Sequence, residues 1–134
     1  MLQPEIYESL CSWIDGLLEN AEIPENAAAF CFNLYEESED SSEHLFGVQL
    51  IAAGAFDEND GGDWACDEIW TSGEDIFLVD ISDEPDTSPE NAQRLISEML
   101  REYLDNGKYR SILLSSAAAA AGFVDGELEI LFKA

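Results

Sequence analysis

Lysine and arginine are absent from residues 1–93, a stretch that carries 24 Asp and Glu. The whole chain of 134 residues has five basic side chains against 30 acidic ones, a formal charge of −25. Affinity for phosphates comes from Lys and Arg displacing counterions, so this balance argues against direct binding to nucleic acid. Anionic membrane surfaces are disfavoured for the same reason. No run of 18 apolar residues occurs, so no membrane span is expected. Met1–Leu10 has Glu5 and Glu8 and no basic residue, unlike a secretory signal. Cysteine is sparse: Cys11, Cys31 and Cys66 are odd in number, far apart and without a C-x-x-C pair. That excludes a disulfide framework and a cysteine zinc site, and predicts a reducing, cytoplasmic setting.

Chemistry-bearing motifs are equally scarce. The single histidine, His44, sits beside Glu43 at the mouth of an apolar run. No Ser or Cys lies in a nucleophile signature such as G-x-S-x-G. Gly61-Gly62 has neither the following Lys nor the capped helix of a phosphate loop. Basic groups to steady a developing negative charge are few. No enzymatic activity and no cofactor are expected.

What the chain does contain suits folding. Hydrophobic residues make up 46% and aromatics 10%, too rich for a disordered chain. The length fits one domain, residues 1–134. Spread over roughly 7,000 Å² of folded surface, the excess charges would sit about 17 Å apart. That exceeds the Debye length of about 8 Å at physiological salt, so the average repulsion is screened and only local clusters matter. One cluster is Glu36, Glu37, Glu39, Asp40 and Glu43. Another is Asp57, Glu58, Asp60, Asp63, Asp67 and Glu68. Such clusters steer a basic partner, or simply solvate a surface.

Periodicity divides the chain. Ile6, Leu10, Trp13, Ile14, Leu17 and Leu18 form one stripe of a helix over 4–21, closed by Pro24. Phe30, Phe32 and Leu34 alternate with Cys31, Asn33 and Tyr35, which predicts a strand over 28–36. Phe46, Val48, Leu50 and Ala52 share one face of a second strand over 45–56, so the two read as an antiparallel hairpin. Residues 64–71 read as a strand or as irregular; if extended, Trp64, Cys66, Glu68 and Trp70 share a face. A turn over 72–75 and a short strand over 76–81 follow. Ser88, Pro89 and Glu90 start the next helix. Ala92, Leu95, Ile96, Met99, Leu100 and Tyr103 are its buried stripe, and Gly107 is its cap. Arg94 and Arg101 can pair with Glu90 or Glu98. For 111–121 the alanine run 117–121 favours a helix, although 112–114 equally suits the opening of a strand. A tight turn at Asp125-Gly126 and a last strand through Leu128, Ile130 and Phe132 complete the chain. The order predicts an α+β domain, a largely antiparallel sheet with helices packed on one face.

Two readings compete for the acidic segment. Residues 57–68 can be laid on a twelve-residue calcium loop, with Asp57, Asn59, Gly62 and Glu68 at positions 1, 3, 6 and 12. Position 5 is then Gly61, without a side-chain oxygen, and the preceding residues have strand rather than helix character; no metal is assigned. Alternatively, Trp64 and Trp70 flank Asp67 and Glu68 as interface anchors, although each also suits the core.

From Gly54-Ala55-Phe56-Asp57 through Asp63-Trp64-Ala65-Cys66-Asp67-Glu68 and on to Gly122-Phe123-Val124-Asp125-Gly126, the chain resembles small bacterial immunity proteins, the cognate inhibitors of polymorphic-toxin and contact-dependent inhibition systems. The resemblance lies in size, acidity, α+β order and that acidic-aromatic segment. It implies a cytoplasmic, non-enzymatic protein that neutralises a basic toxin domain, many such toxins being nucleases, by occluding its active site. The partner-binding residues expected are Asp57, Glu58, Asp60, Asp63, Trp64, Asp67, Glu68 and Trp70. A DNA mimic, whose carboxylates imitate phosphates, and a weak calcium-binding module are the alternatives.

Overall fold

The computed structural model describes residues 4–20, 23–24, 26–36, 45–57, 59, 63–123 and 128–133. Among these residues, three helices and six strands follow the order α1 (Pro4–Asn20), β1 (Ala29–Glu36), β2 (Leu45–Ala53), β3 (Glu68–Thr71), β4 (Phe77–Asp80), α2 (Pro89–Asn106), α3 (Arg110–Leu114), β5 (Ala118–Phe123) and β6 (Glu129–Lys133). A short 3-10 turn, Asp63–Cys66, precedes β3. The strands form one sheet in the order β3-β2-β1-β5-β6, with β4 sharing the flank of β2 that β3 occupies. Every pairing is antiparallel except β1 with β5. This is the expected α+β architecture.

The hairpin register follows from side-chain alternation. Phe32 pairs with Leu50 and Leu34 with Val48, so the apolar sets of both strands fall on the same face. There they meet Leu10, Ile14 and Leu18 of α1 and Leu95, Ile96 and Leu100 of α2 in the main core. At the start of α2 the Ser88 hydroxyl accepts from the Asn91 N–H at 3.2 Å, with Pro89 at the first helical position, as the sequence predicts. Arg94 pairs with Glu98 at 2.8 Å, and Arg101 reaches across to Glu129 of β6 at 3.5 Å.

Two expectations change. The helix expected over 111–121 is only the five-residue α3; Ala118–Ala121 is central strand, fully buried between its neighbours β1 and β5's other partner β6. Alanine has high helix propensity, but here its small side chain answers a tertiary demand. Ala119 and Ala121 lie beneath the helix layer, and Ala118 and Ala120 beneath the opposite one. The last strand does not alternate evenly either. Ala119 pairs with Phe132 and Ala120 with Ile130, leaving Leu131 as a bulge. Ile130 and Phe132 therefore face opposite sides of the sheet. The turn expected at Asp125-Gly126 lies outside the described residues.

Candidate functional site

From the acidic segment and its approach, Phe56, Trp64 and Ala65 pack on the sheet face away from the helices. That face is floored by small residues, Ala29, Ala53, Ala118 and Ala120, together with Cys31 and Ile51. The floor is shallow because the alanines are short, and the Trp64 indole settles into it with only 4% of the residue exposed. Phe56 meets Trp64 edge-on, with ring centroids 5.0 Å apart. Burial pushes the Cys31 thiol up to about 12, and nearby Cys66 adds to the shift, which favours the thiol over the thiolate at neutral pH.

Backbone hydrogen bonds fix the two ends of the segment to each other. The Gly54 N–H donates to the Asp67 carbonyl at 2.8 Å, and the Asp67 N–H donates to the Trp64 carbonyl at 3.1 Å. A Cβ on Gly54 would lie 3.0 Å from Ile69 and 3.1 Å from the Asp67 carboxylate, so glycine allows this close approach. The Asp57 carboxylate accepts from the Asn59 N–H at 2.9 Å. Asp57, Asp67 and Glu68 are all exposed.

Of the expected partner-binding residues, Asp57, Asp67 and Glu68 thus stand at the surface. Asp63 begins the 3-10 turn, and Glu58 and Asp60 lie outside the described residues. The two tryptophans do not share a face. Residues 63–66 are helical rather than extended, which buries Trp64 under the segment. Trp70 pairs with Ala52 and packs, partly exposed, on the helix-side core. The Trp64 indole packs on the alanine floor and presents little of itself at the surface.

The calcium-loop alignment finds a different frame here. Residues 57–68 are preceded by β2 and lead through the 3-10 turn into β3, so strands stand where an EF-hand has helices. Glu68, at position 12 of that alignment, is instead the first residue of β3, opposite Ala53. Among the described residues, no group of three His, Cys, Asp or Glu is placed to hold a metal ion. A cavity of about 350 Å³ opens between α1 and α3, lined by Leu18, Ile23, Pro24, Phe30 and Ile112 among others. None of the described residues that line it is titratable.

Residues 76–81 also shape the surface. Phe77, Val79 and Ile81 point towards the helix layer, and their alternation turns Leu78 outward, where it is 50% exposed. The period-two pattern of residues 76–81 already carried that signal.

Among the described residues, no helix is long and apolar enough to cross a membrane. Comparison with protein-family models, with curated proteins and with solved structures found no match to this chain.

Proposed function

We propose that this protein is a non-enzymatic acidic inhibitor that neutralises a basic toxin domain, of the nuclease class, by covering its active site. The observation that carries this reading is the construction of the acidic segment. Trp64 and Phe56 clamp it to the sheet, while the carboxylates of Asp57, Asp67 and Glu68 remain in solvent. A charged surface held on a rigid base loses little freedom when a partner arrives, and its field accelerates the encounter. The lack of Lys and Arg through residue 93 leaves that field uncompensated over β1–β4.

The three free cysteines, Cys11, Cys31 and Cys66, support a reducing, cytoplasmic site of action. The test is capture from a lysate of the source organism with the protein as bait, washed at low and then high salt. One stoichiometric basic protein retained at low salt supports the inhibitor, and adding this protein should then block the activity of the captured one. A set of unrelated DNA-binding proteins would replace this reading with DNA mimicry.

A further inference from the structure

The sheet face that receives Trp64 continues beyond it. Tyr35 pairs with Gly47, and Gly47 with Leu78, so these residues form one row across β1, β2 and β4 on that face. Leu78 is the most exposed large apolar side chain among the described residues. Tyr35 stands across Gly47 from it and is pinned: its hydroxyl donates to Gln49 Oε1 at 2.9 Å, and Gln49 Nε2 donates to the Gly73 carbonyl at 3.0 Å. The relay ties the Ser72–Asp75 turn to the patch. Gly73 adopts φ +63° there, a backbone conformation that glycine supplies without strain.

Carboxylates border this row. Asp80 lies two residues from Leu78 on the same side of β4, and Glu74 sits in the tethered turn; both are exposed. An apolar centre within a charged rim is the anatomy of a protein interface, and a pinned tyrosine is a frequent energetic anchor. The sign of the rim selects the occupant. A second copy placed isologously would set carboxylates against carboxylates, whereas a basic protein surface would pair them.

We propose that Leu78 and Tyr35 are the centre of the surface that receives the basic partner, with Glu74 and Asp80 on its rim. This rests on the inhibitor reading above and moves the energetic centre from the acidic segment to the β4 side of the sheet. The segment at 54–68 then steers the approach, and Leu78 and Tyr35 set the lifetime of the complex.

The probe is a displayed library of fragments of the source genome, selected on the immobilised protein at low salt and eluted at high salt. Basic fragments recovered in this way are then titrated against wild type, Leu78→Ala, Tyr35→Ala and, as a control, Ile69→Ala, all checked by circular dichroism. Leu78→Ala and Tyr35→Ala should each weaken binding about tenfold, and Ile69→Ala by less than about twofold. Wild-type-like affinity of both patch variants would overturn this location while leaving the inhibitor reading intact. Recovery of no basic fragment would overturn the inhibitor reading, and the patch with it.

Discussion

Gly107 lies flat against Tyr103: a Cβ added at Gly107 would stand 2.5 Å from Cζ of that ring. The backbone at Gly107 is extended, φ −67° and ψ 148°, so space and not conformation demands glycine here. Its N–H closes α2 on the Tyr103 carbonyl at 2.6 Å. The Tyr103 hydroxyl donates to Asp15 of α1 at 2.6 Å and accepts the Tyr109 N–H at 3.2 Å. One phenol therefore joins α1, the end of α2 and the approach to α3.

Two glycine substitutions should move stability in opposite directions. Gly107→Ala forces the Tyr103 ring aside, a cost of about 1–3 kcal/mol by overpacking. Gly16, inside α1, has nothing within 4 Å of an added Cβ. Gly16→Ala should stabilise by about 0.5–1 kcal/mol through helix propensity alone. Urea unfolding of both variants checks the pair. Combining Gly107→Ala with Tyr103→Leu should recover part of the loss, and full additivity would refute the steric explanation.

Alkaline pH should weaken the fold before any acid-side effect from these groups. Burial, then the hydrogen bond to Asp15, raises the Tyr103 pKa above its ordinary 10. Burial, then Cys11, does the same for Tyr7, and burial pushes Cys31 from 9 up to about 12. Each group is neutral when protonated, and the folded chain holds that proton more tightly than the unfolded one. Their contribution is thus fully present below pH 9; that of Cys31 is lost as pH rises from about 9 through 12, and that of the two tyrosines from about 10 upward. Urea titrations between pH 7 and 11 should show falling midpoints. Over the same range Cys66 should react with a thiol reagent in the native state while Cys31 waits for unfolding.

Legibility in the sequence tracked how far each residue type commits to one role. Phe30, Phe32 and Leu34, matched by Val48, Leu50 and Ala52, have only one comfortable face, and their alternation gave both hairpin strands and their shared side. Ser88-Pro89 marked the start of α2 through local chemistry alone. Ala117–Ala121 carried no such commitment. Local propensity pulled towards helix, while the deciding factor, the space between the helix layer and Trp64, belongs to distant residues. Trp64 was ambiguous for the same reason: the floor of alanines that buries it is drawn from both sides of it in the chain, from Ala29 and Ala53 to Ala118 and Ala120.

That floor is open to test. Ala120 packs with Cys31, Ile51 and Trp64 at full burial. Ala120→Val improves strand propensity but inserts two methyl groups beneath the indole. Destabilisation by about 1–3 kcal/mol is expected, because overpacking outweighs a propensity gain of under about 1 kcal/mol. A blue-to-red shift of native tryptophan emission should accompany it as Trp64 is lifted towards water. Stabilisation by Ala120→Val would contradict the packing described for β5.

The acidic segment should separate folding from association. Trp64→Ala removes the clamp and should cost about 3–5 kcal/mol of stability. The triple variant Asp57→Asn, Asp67→Asn, Glu68→Gln removes only exposed carboxylates, so its unfolding midpoint should match or slightly exceed that of wild type, since like charges no longer crowd the turn. Its association with a basic partner should nevertheless slow about tenfold at low salt, and the salt dependence of the rate should flatten, while dissociation changes little. Stopped-flow kinetics at low and physiological ionic strength read both rates. An unchanged association rate would mean that the field acting on the partner arises elsewhere, from the rim around Leu78 or from the Glu36–Glu43 cluster, and steering by residues 57–68 would be refuted.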